Sequence, residues 1–134
     1  MATVKLIEYA AASAEVRAVY DDIMATRKTD RVNNFWKALA QHPPTLRHTW
    51  ESVKTVMAPG ALDVLTKEMV YLAVSTASGC GYCIASHTAG ARRAGMTDEM
   101  LGELMAVVGM ANETNRLANG YQVEIDEMFR TPPA

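Results

Sequence analysis

Basic side chains are not in excess in this chain: 13 lysines and arginines stand against 15 aspartates and glutamates, a formal net charge of −2. With no positive surplus to follow a phosphate backbone, nucleic-acid binding is not expected. Long apolar runs are missing too. The most apolar stretch, Met69 to Val74, ends at Ser75, far short of the roughly 20 residues that a membrane span needs, so no membrane association is expected. Lys5 precedes Leu6-Ile7, but Glu8 interrupts them; the segment does not read as a signal peptide, and a cytoplasmic location is the simplest expectation. No internal repeat, low-complexity tract or linker is visible. At 134 residues a single domain over 1–134 is expected, burying roughly two-thirds of its unfolded surface.

Cysteine is nearly absent, and the two that occur stand together in Gly79-Cys80-Gly81-Tyr82-Cys83, with His87 four residues after the second. A structural zinc site normally takes four protein ligands, whereas His87 supplies only a third and no other cysteine exists in the chain. A c-type haem attachment needs histidine directly after the second cysteine, where this chain has Ile84. A thioredoxin-type motif follows a strand in a strand-helix-strand unit, and no such alternation is visible. If the segment is helical, Cys80 and Cys83 share a face at i,i+3, and Cys83 and His87 share it at i,i+4, which gathers two sulfurs and an imidazole. Two readings remain: a redox dithiol with its own base, or two buried cysteines packing as small apolar side chains. Glycine before and between the pair favours exposed backbone at a turn. In a reducing compartment the pair rests as thiols, so a transient catalytic disulfide is expected rather than a structural one.

Apolar periodicity is helical nearly throughout. Val16, Val19, Tyr20, Ile23 and Met24 follow helical spacing after Ser13, a good N-cap, and predict a helix over about Ala14 to Arg27. A shorter helix carries Val32, Phe35, Trp36 and Leu39 until His42-Pro43-Pro44 breaks it and supplies the first turn of a third, with Leu46, Trp50, Val53 and Met57 on one stripe up to Pro59-Gly60. A fourth starts near Asp63 to Thr66 and runs to Ser78, with apolar residues around almost its whole circumference, as in the middle of a bundle. The fifth begins at the cysteines and ends at Gly95, an expected left-handed cap. Thr97 with Asp98 and Glu99 then opens a sixth bearing Leu101, Leu104, Met105 and Val108. A last helix is expected to carry Leu117, Tyr121, Ile125 and Met128, and the tail from Thr131 is expected to fray. The reading is an all-α, single-domain bundle of about six or seven helices.

On the fourth helix Glu68 and Ser75 lie seven apart, on one side of an otherwise apolar rod that leads straight into the cysteine turn. One account of Glu68 is an exposed first-turn residue favoured by the helix dipole. The other is that helices four and five pack as an antiparallel hairpin and bring Glu68 toward His87, where a carboxylate would fix the tautomer of the imidazole. His42 precedes the proline break and His48 reads as a surface residue of the third helix, so neither invites a catalytic role.

The pattern Glu68, eleven residues, Cys80-Gly-Tyr-Cys83, three residues, His87, set inside Lys67-Glu-Met-Val-Tyr-Leu-Ala-Val-Ser75, resembles the alkylhydroperoxidase D-like branch of the carboxymuconolactone decarboxylase superfamily. The close match covers about 62–109, and His42-Pro43 with the amphipathic helix after it fits more loosely. The resemblance implies an all-helical, oligomeric protein, from dimer to hexamer, that reduces peroxides through its cysteine pair. It further implies that no cofactor is bound and that the pair is recharged by an external dithiol, as of the dihydrolipoamide type, or by a lipoylated or peroxiredoxin partner. Position by position it implies that Cys83 is the attacking thiol, Cys80 the resolving thiol, His87 the base and Glu68 the outer member of a proton relay. Some members carry a histidine just before the second cysteine; this chain has Tyr82 there, and Tyr82 and Ser75 are supporting candidates. The decarboxylases of the superfamily generally lack the cysteine pair, so its presence argues against decarboxylation.

Thiol chemistry supports the redox reading separately. A helix N-terminus or an imidazolium lowers the pKa of a thiol; the first favours Cys80, nearest the N-terminus, and the second favours Cys83, one turn from His87. A sulfenic acid formed by peroxide is condensed into a disulfide by a neighbouring thiol before it over-oxidises. Met69, Met96, Met100, Met105 and Met110 are expected to fill helical interfaces. Phe35, Trp36 and Trp50 either line an apolar pocket or belong to the core. Three function classes follow: a peroxide-reducing or disulfide-exchanging enzyme, a redox-sensing interaction protein using the same disulfide, and a metal-binding or purely structural helical module.

Overall fold

Among the described residues, five of the six α-helices begin with a side chain that accepts a backbone N–H from its own first turn, which satisfies one of the orphan donors that every helix start leaves. The computed structural model describes residues 2–130; the tail expected to fray lies outside them. Ser13 caps α1 (Ala14–Arg27), His42 caps α3 (Pro43–Met57), Asp63 caps α4 (Val64–Ala77), Cys80 caps α5 (Gly81–Arg93) and Thr97 caps α6 (Asp98–Gly120). The short α2 (Asn34–Leu39) has no side-chain cap. Single 3-10 turns occupy Tyr9–Ala11 and Glu127–Phe129, and the described residues contain no strand.

The fold is therefore all-α with six helices among the described residues. The separate last helix is corrected. Nothing breaks the chain between Val108 and Leu117, so α6 runs on to Gly120. It closes with Gln122 in the left-handed region (φ 50°), the Val123 N–H on the Ala118 carbonyl at 3.0 Å and the Gln122 N–H on Asn119 at 3.1 Å, the bonding of a helix C-terminus. Tyr121 is the C-cap of α6, Ile125 follows the stop, and Met128 sits in the terminal 3-10 turn.

The chain forms two compact units, one reaching Ala58 and the other starting at Pro59. In the first, α1 and α2 pack on α3 around Val16, Tyr20, Ile23, Trp36, Leu46 and Trp50. The Trp36 and Trp50 rings meet edge-on at 5.4 Å, with the Arg27 guanidinium within 5.5 Å of both, an arrangement that adds aromatic and cation–π attraction to simple burial. The Tyr20 hydroxyl donates to the Ile7 carbonyl at 2.9 Å, and burial pushes its phenol up to about 12. Asp22 accepts from Trp50 Nε1 at 2.6 Å and from Lys54 Nζ at 2.8 Å.

In the second unit α4 packs against both α5 and α6. Leu72, Ala91 and Met96 are buried at its centre, with Leu65, Met69, Ile84, Met100, Leu104 and Met105 packed around them. The expectation that α4 sits wrapped on all sides is corrected. Two neighbouring helices cover only part of its girth, and Val70 and Val74 are 53% and 59% exposed. No residue of α6 is fully buried.

The Lys54 and Trp50 hydrogen bonds hold the Asp22 carboxyl below its ordinary value of 3.8. A depressed carboxylate adds stability that is present above the unfolded-state value and is lost as pH falls through the folded-state one. Asp22→Asn is thus expected to lower the thermal midpoint at neutral pH by a few degrees, an effect kept small by solvent screening, and to flatten the acid limb below pH ~3.8. Thermal unfolding between pH 2 and 7 followed by circular dichroism checks this; an unchanged midpoint at neutral pH would contradict it.

Candidate active site

The turn between α4 and α5 places the cysteines. Gly79 takes φ +70°, a left-handed conformation that glycine adopts without the Cβ penalty. Its N–H bonds the Thr76 carbonyl at 3.2 Å, and the Cys80 N–H bonds the Ser75 carbonyl at 3.0 Å. Ser75 is buried, and its hydroxyl donates to the Tyr71 carbonyl at 2.8 Å. The structure thus gives Ser75 a part in the turn and does not bring its hydroxyl to Glu68.

Cys80 is the N-cap of α5 and Cys83 lies in the first turn. The two are joined as a disulfide with Cα atoms 5.3 Å apart, and the Cys83 N–H points at Cys80 Sγ at 3.3 Å. Both sulfurs sit at the positive end of the helix dipole, where thiolates are stabilised. Both residues are partly buried, so the pair is reachable without being fully wet. Tyr82, between them, is exposed.

From that turn α5 runs back along α4. Glu68, the fifth residue of α4 and therefore beyond its first turn, reaches His87 across the hairpin: Oε2 lies 2.7 Å from Nδ1. The side chains are only 18% and 16% exposed, which rules out the account of Glu68 as a solvated first-turn residue. A carboxylate only accepts, so the bond is Nδ1–H to Oε2, and Nε2 is left as the basic nitrogen of the neutral ring. His87 stands one turn along α5 from Cys83. The arrangement can therefore take a proton near a thiol and hold the resulting charge against a carboxylate.

Two participants escaped the sequence reading. The Tyr71 ring stacks on His87, centroids 3.5 Å apart and planes within 16°. Gly90 is buried where a Cβ would lie 2.7 Å from Glu68 Cδ and Oε2 and 2.9 Å from Oε1. Helical spacing offered a signal for the first: Tyr71 falls three after Glu68 and four before Ser75, on the same stripe. Among the described residues no group of three or more His, Cys, Asp or Glu side chains is placed to hold a metal ion.

The remaining candidates have surroundings of their own. Trp36 and Trp50 belong to the core of the first unit, with Phe35 against Trp36. Met96 is buried in the second unit, Met69, Met100 and Met105 pack on its core, and Met110 is exposed. His42 caps α3 through Nδ1, and His48 is exposed. No helix among the described residues is long and apolar enough to cross a membrane.

The sequence profile of the carboxymuconolactone decarboxylase family matches residues 43–123. Among solved structures, the chain is similar to the alkylhydroperoxidase AhpD core of Rhodospirillum rubrum, with 52% identity, a TM-score of 0.93, and coverage of 98% of this chain and 99% of that one. An uncharacterized protein encoded in the cox locus of Paracoccus denitrificans is 44% identical over 54 residues, 40% of this chain; the match spans about half that relative's length, 49%. An uncharacterized protein of Cupriavidus necator is 32% identical over 85 residues, covering 63% of this chain and 74% of the relative.

Proposed function

Because this chain belongs to the carboxymuconolactone decarboxylase family, in its alkylhydroperoxidase D-like branch, we propose that it is a thiol-dependent peroxidase. One observation carries the reading: the α4–α5 hairpin holds a disulfide-forming Cys80/Cys83 pair at a helix N-terminus and a Glu68–His87 bond of 2.7 Å beside it. A merely structural module has no use for a carboxylate and an imidazole paired on the hairpin that carries its only thiols.

In the proposed cycle the reduced pair is the working form. His87 takes the Cys83 thiol proton at Nε2 while Nδ1–H stays on Glu68. The thiolate attacks one peroxide oxygen; the S–O bond forms as the O–O bond breaks, and the departing alkoxide takes the proton from the imidazolium and leaves as an alcohol. Cys83 is then a sulfenic acid. The Cys80 thiol attacks its sulfur, the disulfide forms, and the hydroxyl leaves as water with the Cys80 proton. An external dithiol, of the dihydrolipoamide type or carried by a lipoylated or peroxiredoxin partner, returns two electrons and two protons through thiol–disulfide exchange. No bound cofactor enters the cycle, and the site asks for no nucleic acid or membrane.

The Cys83 N–H on Cys80 Sγ favours a second order of events, in which Cys80 carries the attacking thiolate. The cysteine variants separate the two. Cys83→Ser is expected to abolish peroxide turnover, whereas Cys80→Ser completes the first oxidation and stalls as a sulfenic acid or higher oxide. Trapping with a sulfenic-acid reagent reads this out, and a signal confined to Cys80 in the Cys83→Ser protein reverses the order. Wild-type protein that is oxidised once but consumes no hydroperoxide with excess dithiol overturns the peroxidase reading in favour of a redox sensor.

For the relay, His87→Ala is expected to slow thiolate formation by about 10²–10⁴, the usual contribution of a general base, and Glu68→Gln by less. Stopped-flow oxidation of the reduced protein by tert-butyl hydroperoxide measures both. A Glu68→Gln rate equal to wild type across neutral pH would remove the carboxylate from the mechanism.

We further propose a homo-oligomer, between dimer and hexamer. Exposed Val70 and Val74 on α4, Val107 and Met110 on α6, and Met128 and Phe129 beyond it make more apolar surface than scattered exposure accounts for. In this proposal the interface runs over the exposed faces of α4 and α6. Light scattering after size exclusion at micromolar concentration is expected to give a mass well above the 14.6 kDa of one chain, and a single species at that mass would sink the proposal.

A further inference from the structure

We propose that Tyr71 and Gly90 are positioning residues for His87, holding the imidazole so that Nδ1 stays on Glu68 and Nε2 alone is available as a base. The proposal rests on reading His87 as the base of the dithiol.

An imidazole turns about two side-chain bonds, and a half-turn about the outer one puts Cδ2 where Nδ1 stood and Cε1 where Nε2 stood, which breaks the bond to Glu68 and turns the basic nitrogen away. Two features oppose that turn. The Tyr71 ring lies nearly parallel to His87 at a centroid distance of 3.5 Å, which is van der Waals contact across a whole face; rotating the imidazole out of plane would drive an edge into that ring. The Nδ1 bond to Glu68 Oε2 must also be in place, and that depends on where the carboxylate can sit.

The carboxylate sits where residue 90 has no side chain. Backbone conformation does not ask for glycine there: the glycines with positive φ are Gly79 and Gly95 among the described residues, and glycine in a helix interior is weaker than alanine. What alanine would meet is the Glu68 head group, with Cδ and Oε2 at 2.7 Å and Oε1 at 2.9 Å from its Cβ. All three atoms are too close, so no rotation of the carboxylate relieves the clash. The head group must withdraw, and it carries with it the oxygen bonded to His87. Gly90 falls three residues after His87, which places the gap on the same side of α5 as the ring it serves. Tyr71 from α4 and Gly90 from α5 thus bracket the pair, one by contact and the other by vacating space.

The test uses the full chain in reduced form and two readouts that do not pass through peroxide. The first is the ring 15N shifts of His87, assigned against His87→Asn, which report the tautomer. The second is the rate of Cys83 alkylation by iodoacetamide at neutral pH, resolved from Cys80 by peptide mapping. Tyr71→Phe keeps the stacked ring and is expected to match wild type in both. Tyr71→Leu and Gly90→Ala are expected to replace the single Nδ1–H tautomer by a mixture and to slow alkylation by about 10-fold, the scale on which orienting partners act. If Gly90 acts through the carboxylate, Gly90→Ala costs nothing further in a Glu68→Ala background, within about twofold, because coupled residues are non-additive. Should Gly90→Ala fail to fold alone yet fold in that background, the clash is demonstrated. Equal costs of Gly90→Ala in both backgrounds, failure to fold in both, or wild-type shifts and rates in Tyr71→Leu would overturn the proposal. A wild-type protein that consumes no hydroperoxide while its Tyr71 and Gly90 variants behave as described would overturn the peroxidase reading and support this one.

Discussion

The hydrogen bond from His87 to Glu68 is the constraint on which the second unit turns. At 2.7 Å and with both side chains mostly covered, it joins the start of α4 to the middle of α5. It is met only in one register of the hairpin, since a slip of one residue rotates a helix face by about 100°. The opposite end of the register is set by the Gly79 turn and the Cys80 N–H on Ser75. Between these two points the helical repeat leaves no freedom: Cys80 caps, Cys83 falls in the first turn, His87 one turn later, Gly90 one turn later again. The placement of the two cysteines and that of the imidazole are thus consequences of a single pairing of helices.

A polar pair this well covered is costly unless each member satisfies the other, and the local structure follows from that demand. Glycine stands at residue 90 although α5 would be stronger with alanine, and an aromatic ring lies flat on the imidazole where an aliphatic side chain would fill the space as well. The contrast with the first unit is instructive. There the buried set is two tryptophans, a tyrosine and aliphatic side chains in continuous contact. The second unit fully buries Leu72, Ala91 and Met96 in its core and fills the rest with partly exposed methionine and leucine. Under the proposed cycle the thiols must stay accessible to an outside reductant, and a hairpin open to that chemistry would surrender apolar burial.

What was legible in the sequence was local. Ser13, Asp63 and Thr97 announce helix starts because a short polar side chain before an apolar stripe has one good use, and Gly95 announces a helix end for a similar reason. The cysteine cluster is legible because spacing on a helix is arithmetic. Tyr71 and Gly90 were not, since a tyrosine on an apolar stripe and a glycine inside a helix acquire meaning only from what the facing helix presents. The girth of α4 misled for the same cause. Val70 and Val74 read as buried from hydrophobicity alone, but how many neighbours a helix has is a property of packing. The end of α6 was misread because apolar spacing persists through Ile125 and Met128 after the helix has stopped at a left-handed Gln122, a position that periodicity does not register.

The contact between the Cys83 N–H and Cys80 Sγ is at odds with Cys83 as the attacking thiol only while the oxidative half of the proposed cycle is considered. In the reductive half, an incoming thiolate attacks one sulfur of the disulfide and expels the other, and the sulfur better stabilised as a thiolate leaves faster. Cys80, with an amide donor and the helix N-terminus behind it, is the better leaving group. That directs the reductant to the sulfur of Cys83. The same residue would then meet the peroxide in one half-cycle and the reductant in the other, with Cys80 acting both times as the partner that closes or releases the disulfide. A cap that stabilises the departing Cys80 thiolate and a base one turn from Cys83 are thus two requirements of the proposed cycle, and the first two turns of a single helix supply both.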